Sequence, residues 1–480
     1  MKNASRRALS LEGPILKSLL VLSFPIVLAN ILQAGYQLTD AFWVGRLGAS
    51  AVAAVSVSFP VAFLSIALGA GLAIAGSTLI AQYVGAKNER MVNHVASQTL
   101  LMVVIVSIVL SVIGYALTPF ILKLMGVDHE VYVLAVRYMR VSFIGLVFNF
   151  AFFMFQSIMR GIGENKLSLY IVGGTVLLNF ILDPLFIFGW GSIPALGVMG
   201  AAIATLTTQM IAAGIGLSML FGGRYGIHLS LRDFLPDLSF IKRAFFLGLP
   251  ASIEMSARAL SLTVMTFLVA SFGTLAVASY GAGSNIIQMI IIPAVGLSMA
   301  ISVLAGQNIG AGNIERASHI GKVGAWLGFW VLTSTGLIVF MAAPHIIAFF
   351  VPGDGAVIAG ATVFLRTVSL FWGLFGVEFA LNGVLRASGS MVIAMCITIV
   401  SQWVIQFPAA YLLSKHTHMG INGVWWAFPI SSSVITIVVI AIYTKGNWKK
   451  KRLIKPEERL AEQVSEEILI EESYANRQGA

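Results

Sequence analysis

The stretch "AQYVGAKN", residues 81–88, returns as "GQNIGAGN" at residues 306–313, an offset of 225. "LGASAVAA" from Leu47 lines up with "FGTLAVAS" from Phe272 at the same offset, and Pro25 falls opposite Pro250. "MRGIG" from Met159 matches "LRASG" from Leu385 at 226, and "GVMGAAIA" from Gly197 matches "GINGVWWA" from Gly420 at 223. Several short matches at one near-constant spacing read as an internal duplication.

The chain around these echoes is built for lipid. Its 480 residues are 58% hydrophobic and only 10% charged, too little charge to cover a soluble surface. Apolar runs of about 20 residues, enough to cross roughly 30 Å of hydrocarbon, follow one another along most of the sequence. They fall near 15–43, 51–80, 95–119, 133–158, 167–189, 196–221, 240–269, 275–305, 319–343, 357–385, 391–414 and 420–443. The expected fold is an all-α polytopic membrane protein of twelve transmembrane helices. Six crossings return a chain to the side it left, so the duplication is parallel, with a pseudo-two-fold axis along the membrane normal. This predicts an N-terminal six-helix bundle over 15–221 and a C-terminal one over 240–443. A polar cytoplasmic linker, 222–239, would join them, between a short cytoplasmic tail, 1–14, and a charged one, 444–480.

The net charge of +10 invites a nucleic-acid reading, but its placement opposes one. With the N-terminus inside, 23 of the 30 Lys and Arg fall on the inner face and six on the outer, while Arg258 lies in a span. That is the positive-inside distribution, with both termini cytoplasmic. The single cysteine, Cys396, allows no intrachain disulfide, and the basic start has no small-residue cleavage site.

Four acids remain inside the spans: Asp40, Asp183, Glu254 and Glu378. A carboxylate at the centre of a membrane helix costs about 2.5–3.5 kcal/mol even on the lenient insertion scale, so each needs a partner, a cation or a proton. Asp40 and Asp183 fall in the outer halves of the first and fifth helices, where they can meet. Asn179 is one turn before Asp183 in "NFILDP" and shares its face. Pro184 brings no N–H, which frees the carbonyl of Phe180. Two carboxylates, an amide and a free carbonyl suit a hard cation such as Na⁺; two close carboxylates equally suit one shared proton. Gln33, Tyr36, Gln37 and Asp40 form a polar stripe on the first helix, which Pro25 can hinge. Glu254 has Arg258 at i+4, a pairing that can neutralise both, and Glu378 has Asn382 at i+4 and can line a second cavity. At the repeat offsets Asp40 faces Met265 and Asp183 faces Ala409, so the halves are chemically unequal. Phe148, Phe150, Phe152, Phe153, Met154 and Phe155 offer either packing or a deformable surface for bulky ligands. No nucleotide loop, nucleophile–base pair or metal-ligand spacing occurs in the spans, so neither an enzyme nor an ATP-driven pump is expected, and no cofactor. His416 and His418 sit in a short outer loop and are not expected to hold a metal.

"QLTDAFWVGRLGASAVAAVS", "AQYVGAKN" with its echo, "MRGIGENK", "LLNFILDPLF" and "GVMGAAIAT" together resemble the multidrug and toxic-compound extrusion family, from about Ile15 to Tyr443. The resemblance implies a monomeric antiporter of a bacterial inner membrane. It would exchange H⁺ or Na⁺ for organic, often cationic and amphipathic, compounds and so confer drug resistance. Asp40, Asn179 and Asp183 correspond to the coupling residues of the branch similar to DNA-damage-inducible protein F. Tyr138 and Gln156 fall where that branch has further polar cavity residues, although asparagine is common at the second position. The other bacterial branch couples through acids of helices seven and ten, where this chain has Glu254 and Glu378. The alternative is a lipid-linked oligosaccharide flippase of the same superfamily, which requires a basic central cavity.

Overall fold

The computed structural model describes residues 10–191, 194–223, 225–451 and 453–454. The first half comprises α1 (Ile15–Gly45), α2 (Ala49–Gly85), α3 (Glu89–Leu124), α4 (His129–Ile162), α5 (Asn165–Phe188) and α6 (Val198–Phe221). The second comprises α7 (Leu238–Ala270), α8 (Thr274–Gly310), α9 (Ile314–Phe350), α10 (Gly355–Ser369), α11 (Trp372–Ala387), α12 (Met391–Lys415) and α13 (Ile421–Lys445). With α10 and α11 counted as one crossing, there are twelve spans among the described residues. The expected tails at 1–9 and 455–480 lie outside the described residues.

Local chemistry sets the helix ends. Asn88 accepts the N–H of Met91 at the start of α3. Asp237 accepts those of Ser239 and Phe240 at the start of α7, and these donors hold its carboxyl below the usual range. Glycines with positive φ begin or end helices at matching places in the two halves. Gly48 and Gly273 have φ of 106° and 98°, Gly163 and Gly389 of 83° and 81°, and Gly197 and Gly420 of 58° and 54°. L-residues with a Cβ avoid that region, which is why both copies of the repeat keep glycine there. The backbone thus repeats at the same offsets as the sequence.

Two spans depart from the continuous helices expected. The tenth is broken, α10 and α11 meeting at 51°. α11 is held by direct backbone contact of Gly376 with Gly328 of α9, where a Cβ on either glycine would overlap the other's main chain. In α12, residues Val400–Gln406 widen into a π-helix. Pro408 follows, lacking an N–H and crowding the carbonyl four residues back, and the wider turn makes room for its ring.

Small residues decide how closely the helices approach, as expected where lipid gives no hydrophobic drive to association. Phe150 packs on Gly69, Met154 on Gly76 and Phe155 on Gly216, all three side chains fully buried. The central part of the aromatic run on α4 is therefore core, not a ligand surface. The second half has its own cluster around Phe364, Trp372 and Trp425.

The halves meet along one end. Gly296 of α8 rests on Val27 of α1, and Leu19, Leu22 and Ile26 of α1 share a cluster with Ala300, Ile301 and Leu304 of α8. Gly71 of α2 meets Ser252 of α7, and Gly248 meets Leu72. At the ends of α2 and α8, Gly85 abuts the Gln307 carbonyl while Gly310 abuts that of Gln82. The Gln82 amide donates to Ala387 O at 2.7 Å, and the Gln307 amide donates to Gly161 O at 3.0 Å. These reciprocal contacts lie across the pseudo-two-fold axis. All of these approaches fall in the half of the molecule nearest the face that carries both chain ends, called here the terminal face.

Candidate functional site

α5 packs against both α1 and α6, and this brings Asp40, Asn179 and Asp183 together near the ends of those helices remote from the terminal face. Asn179 and Asp183 are fully buried, and the Asn179 amide donates to Asp183 Oδ1 at 3.0 Å. The carboxyls of Asp40 and Asp183 are close enough to interact electrostatically. Even so, Asp40 Oδ1, Asn179 Oδ1 and Asp183 Oδ2 are buried without a donor. Three acceptor oxygens without an N–H or O–H donor form a group able to accept a proton or a cation, since a buried unsatisfied acceptor costs about 1–3 kcal/mol. α5 runs unbroken through Pro184, so the Phe180 carbonyl is deprived of its usual donor as expected.

The other polar residues of α1 divide. Tyr36 is buried and shares a 2.7 Å hydrogen bond with Thr208 of α6, whose hydroxyl also donates to Thr205 O. Gln33 and Gln37 lie on an exposed flank and do not join the buried group. Pro25 is buried within a continuous α1.

Thr205 was not singled out by the sequence. Its hydroxyl donates to Asp40 Oδ2 at 3.3 Å, and its side chain also lines a cavity of about 140 Å³ between α2, α4 and α6. Ser58, Ser65, Tyr138, Ser142, Asn149 and Gln209 supply the polar part of that lining; Met139, Phe143 and Leu146 supply apolar parts. Such a space takes about one aromatic ring. Tyr138 stands in this wall. Gln156, 18 residues further along α4, is about 27 Å away along the helix axis and lies outside the cavity lining. A threonine after "GAAIA" carries no signal of its own; only the packing of α6 on α1 gives it a role.

Comparison with known proteins agrees with this architecture. The MatE family model matches residues 25–185 and 250–412, one copy in each half. This chain belongs to the MatE family. Probable multidrug resistance protein YoeA of Bacillus subtilis is 31% identical over 92% of this chain and 95% of its own length. A crystal structure of MATE in complex with MaL6 superposes with a TM-score of 0.87, at 26% identity, covering 92% of this chain and 99% of that one. An outward-facing multidrug resistance MATE transporter of the MOP superfamily gives 0.86, also at 26%, with coverages of 92% and 98%. MatE proteins are transporters, not enzymes, and this one is a multi-pass membrane protein of twelve helices in two bundles.

The second-half acids of this MatE chain sit in a separate cluster. Glu254 is 2% exposed; its Oε1 accepts Arg386 at 2.5 Å and Thr398 at 3.0 Å, with Arg258 further off at 3.7 Å. The i+4 arginine is thus the secondary partner. Arg386, expected in a loop, is inside α11 and mostly buried. Glu378 is buried within electrostatic reach of Glu254, Arg258 and Arg386, and Asn382 is buried beside it on the same helix face.

Proposed function

We propose that the protein is a cation-coupled multidrug efflux antiporter working by alternating access. The observation that carries this reading is the Asp40–Asn179–Asp183 group, whose three buried oxygens are short of hydrogen-bond donors and which is joined through Thr205 to a cavity. The names of the relatives, multidrug resistance and export proteins, support organic compounds as cargo. The Lys and Arg distribution supports a cytoplasmic terminal face and a cytoplasmic location for both chain ends.

With the terminal face shut, the first-half cavity would be served from the opposite side. A proton or Na⁺ arriving from outside would neutralise the two carboxyls and satisfy the stranded oxygens. Thr205 would then be released from Asp40, and α1 would bend at Pro25, narrowing the cavity and expelling its cargo. Two neighbouring carboxylates repel one another when both are ionised, so loading the cation is favourable and couples to the position of α1. The one-ring cavity would hold the aromatic part of a larger molecule whose remainder lies in the cleft between the bundles. We further propose that the bundles at 15–221 and 240–443 act as the two rocking units. Glu254 and Glu378 are assigned a structural role in the second unit, since Glu254 already has a close cationic partner. A flippase for pyrophosphate-linked sugars is not supported, because the first-half cavity lining is neutral and lies beside two acids.

The test is transport by purified protein in liposomes, with a proton gradient and then a sodium gradient imposed alone. Uptake of a fluorescent organic cation driven by one of them is expected, and its absence under both would overturn the reading. The same oxygens accept either ion, and which gradient drives uptake identifies the ion.

A further inference from the structure

We propose that the segment leaving α13, through Leu453 and Ile454, is a latch that holds the terminal face shut. The root of the segment belongs to the second half. Gly446, at φ 75°, turns the chain, and Trp448 stacks on Tyr443 with ring centroids 5.4 Å apart while its indole donates to Tyr443 O at 3.1 Å. Tyr443 in turn donates to Ser318 O of α9 at 2.5 Å. The far end reaches the first half. The Leu453 N–H donates to Gln82 Oε1 at 3.3 Å, and Arg243 at the start of α7 donates to Leu453 O. Leu453 and Ile454 are 8% and 5% exposed, within the apolar cluster that joins the first half to Phe240 and Ala244 of α7. Gly389 makes the space: a Cβ there would lie 2.6 Å from Leu453 Cδ2.

Gln82 is also the residue that crosses the seam to Ala387. Its two amide groups therefore hold both the end of α11 and the strap, and α2 cannot leave the second half without disturbing both bonds. The other end of the chain is clasped in the opposite sense. Ser10 O and Gly13 O, just before α1, accept from Asn308 of α8 and Arg316 of α9. The C-terminal strap adds two buried apolar side chains to that grip, and their exposure opposes opening. The idea rests on the alternating-access reading, in that a latch has a use only if this face opens.

The experiment measures opening directly. Thr78→Cys, one turn before Gln82 and 2% exposed, is placed in a Cys396→Ser background, and the rate of maleimide labelling is followed in lipid nanodiscs. Leu453→Ala with Ile454→Ala should raise the rate about fivefold or more, since the strap keeps its backbone hydrogen bonds but loses two buried apolar side chains whose exposure opposes opening. Arg243→Gln should act in the same direction, whereas Lys451→Ala, at an exposed neighbour, should leave the rate unchanged. Labelling of the double variant at the parental rate overturns the latch. If that variant does not stay monodisperse, Arg243→Gln decides, and a parental rate there is equally fatal. Combining the latch variants with Asp40→Asn separates the two ideas. Loss of gradient-driven transport tests the antiporter, whereas the labelling difference should persist without it.

Discussion

Gly85 lies directly against the carbonyl of Gln307, with no room between them for a side chain. The repeat mates, Gly310 and Gln82, make the same contact. Any Cβ at either glycine must push α2 and α8 apart. Gly85→Ala and Gly310→Ala should each destabilise the closed seam by about 1–3 kcal/mol, the usual cost of overpacking. Faster labelling of the Thr78→Cys reporter, by similar factors in both, is the expected readout. A parental labelling rate would show that the seam has slack.

The coupling assignment makes a sharper demand. Asp40→Asn and Asp183→Asn keep the shape of each side chain but remove one carboxylate of the pair. Each variant should abolish gradient-driven drug transport while remaining folded in the membrane, judged by size-exclusion of the extracted protein. Wild-type drug resistance in cells carrying Asp40→Asn would count against the whole scheme.

Thr205 should tie the cation to the cavity. Thr205→Val keeps the volume and loses the donor to Asp40; hydrogen bonds to charged groups are worth about 1.5–3 kcal/mol, so a change of roughly tenfold or more in the half-saturating cation concentration is expected. Thr205→Ser should restore the parental value. If valine and serine behave alike, the hydroxyl has no part in coupling.

Arg386 and Glu254 test the structural role given to the second-half acids. Arg386→Ala leaves the buried Glu254 carboxylate with only Thr398 and the more distant Arg258 and should cost up to about 3–5 kcal/mol in stability, whereas Glu254→Gln with Arg386→Gln should recover much of it. That double variant should still transport. A folded but inactive double variant would return Glu254 to the coupling machinery.

Filling the cavity is the simplest test of the cargo site. Ser142→Phe puts a ring into the space lined by Ser58, Tyr138 and Asn149. The apparent affinity for aromatic cations should fall about tenfold or more, on the scale of losing one well-buried ring, with cation dependence unchanged. Equal affinities would place the cargo elsewhere.

Much of this is legible in the sequence. Asp40, Asn179 and Asp183 stand out because a membrane helix penalises each polar group and because an i, i+4 pair shares a face whatever the tertiary structure. What escaped were relationships between distant residues. Glu254 was matched with the arginine one turn away, but its closer partner, Arg386, is 132 residues on. The Gln33 and Gln37 amides looked equivalent to Tyr36 along the helix, and only the packing of α6 separates them. The break between α10 and α11 has no proline to announce it.

Hydropathy and spacing alone determined twelve spans and the parallel duplication, because these follow from the thickness of a bilayer and the recurrence of short motifs at one offset. The tertiary structure alone decided that Thr205 touches Asp40, that Arg386 neutralises Glu254 and that Leu453 reaches Gln82. Each of those depends on the angle at which two helices, or a strap and a helix, meet across a gap, and short-range sequence patterns carry no record of it.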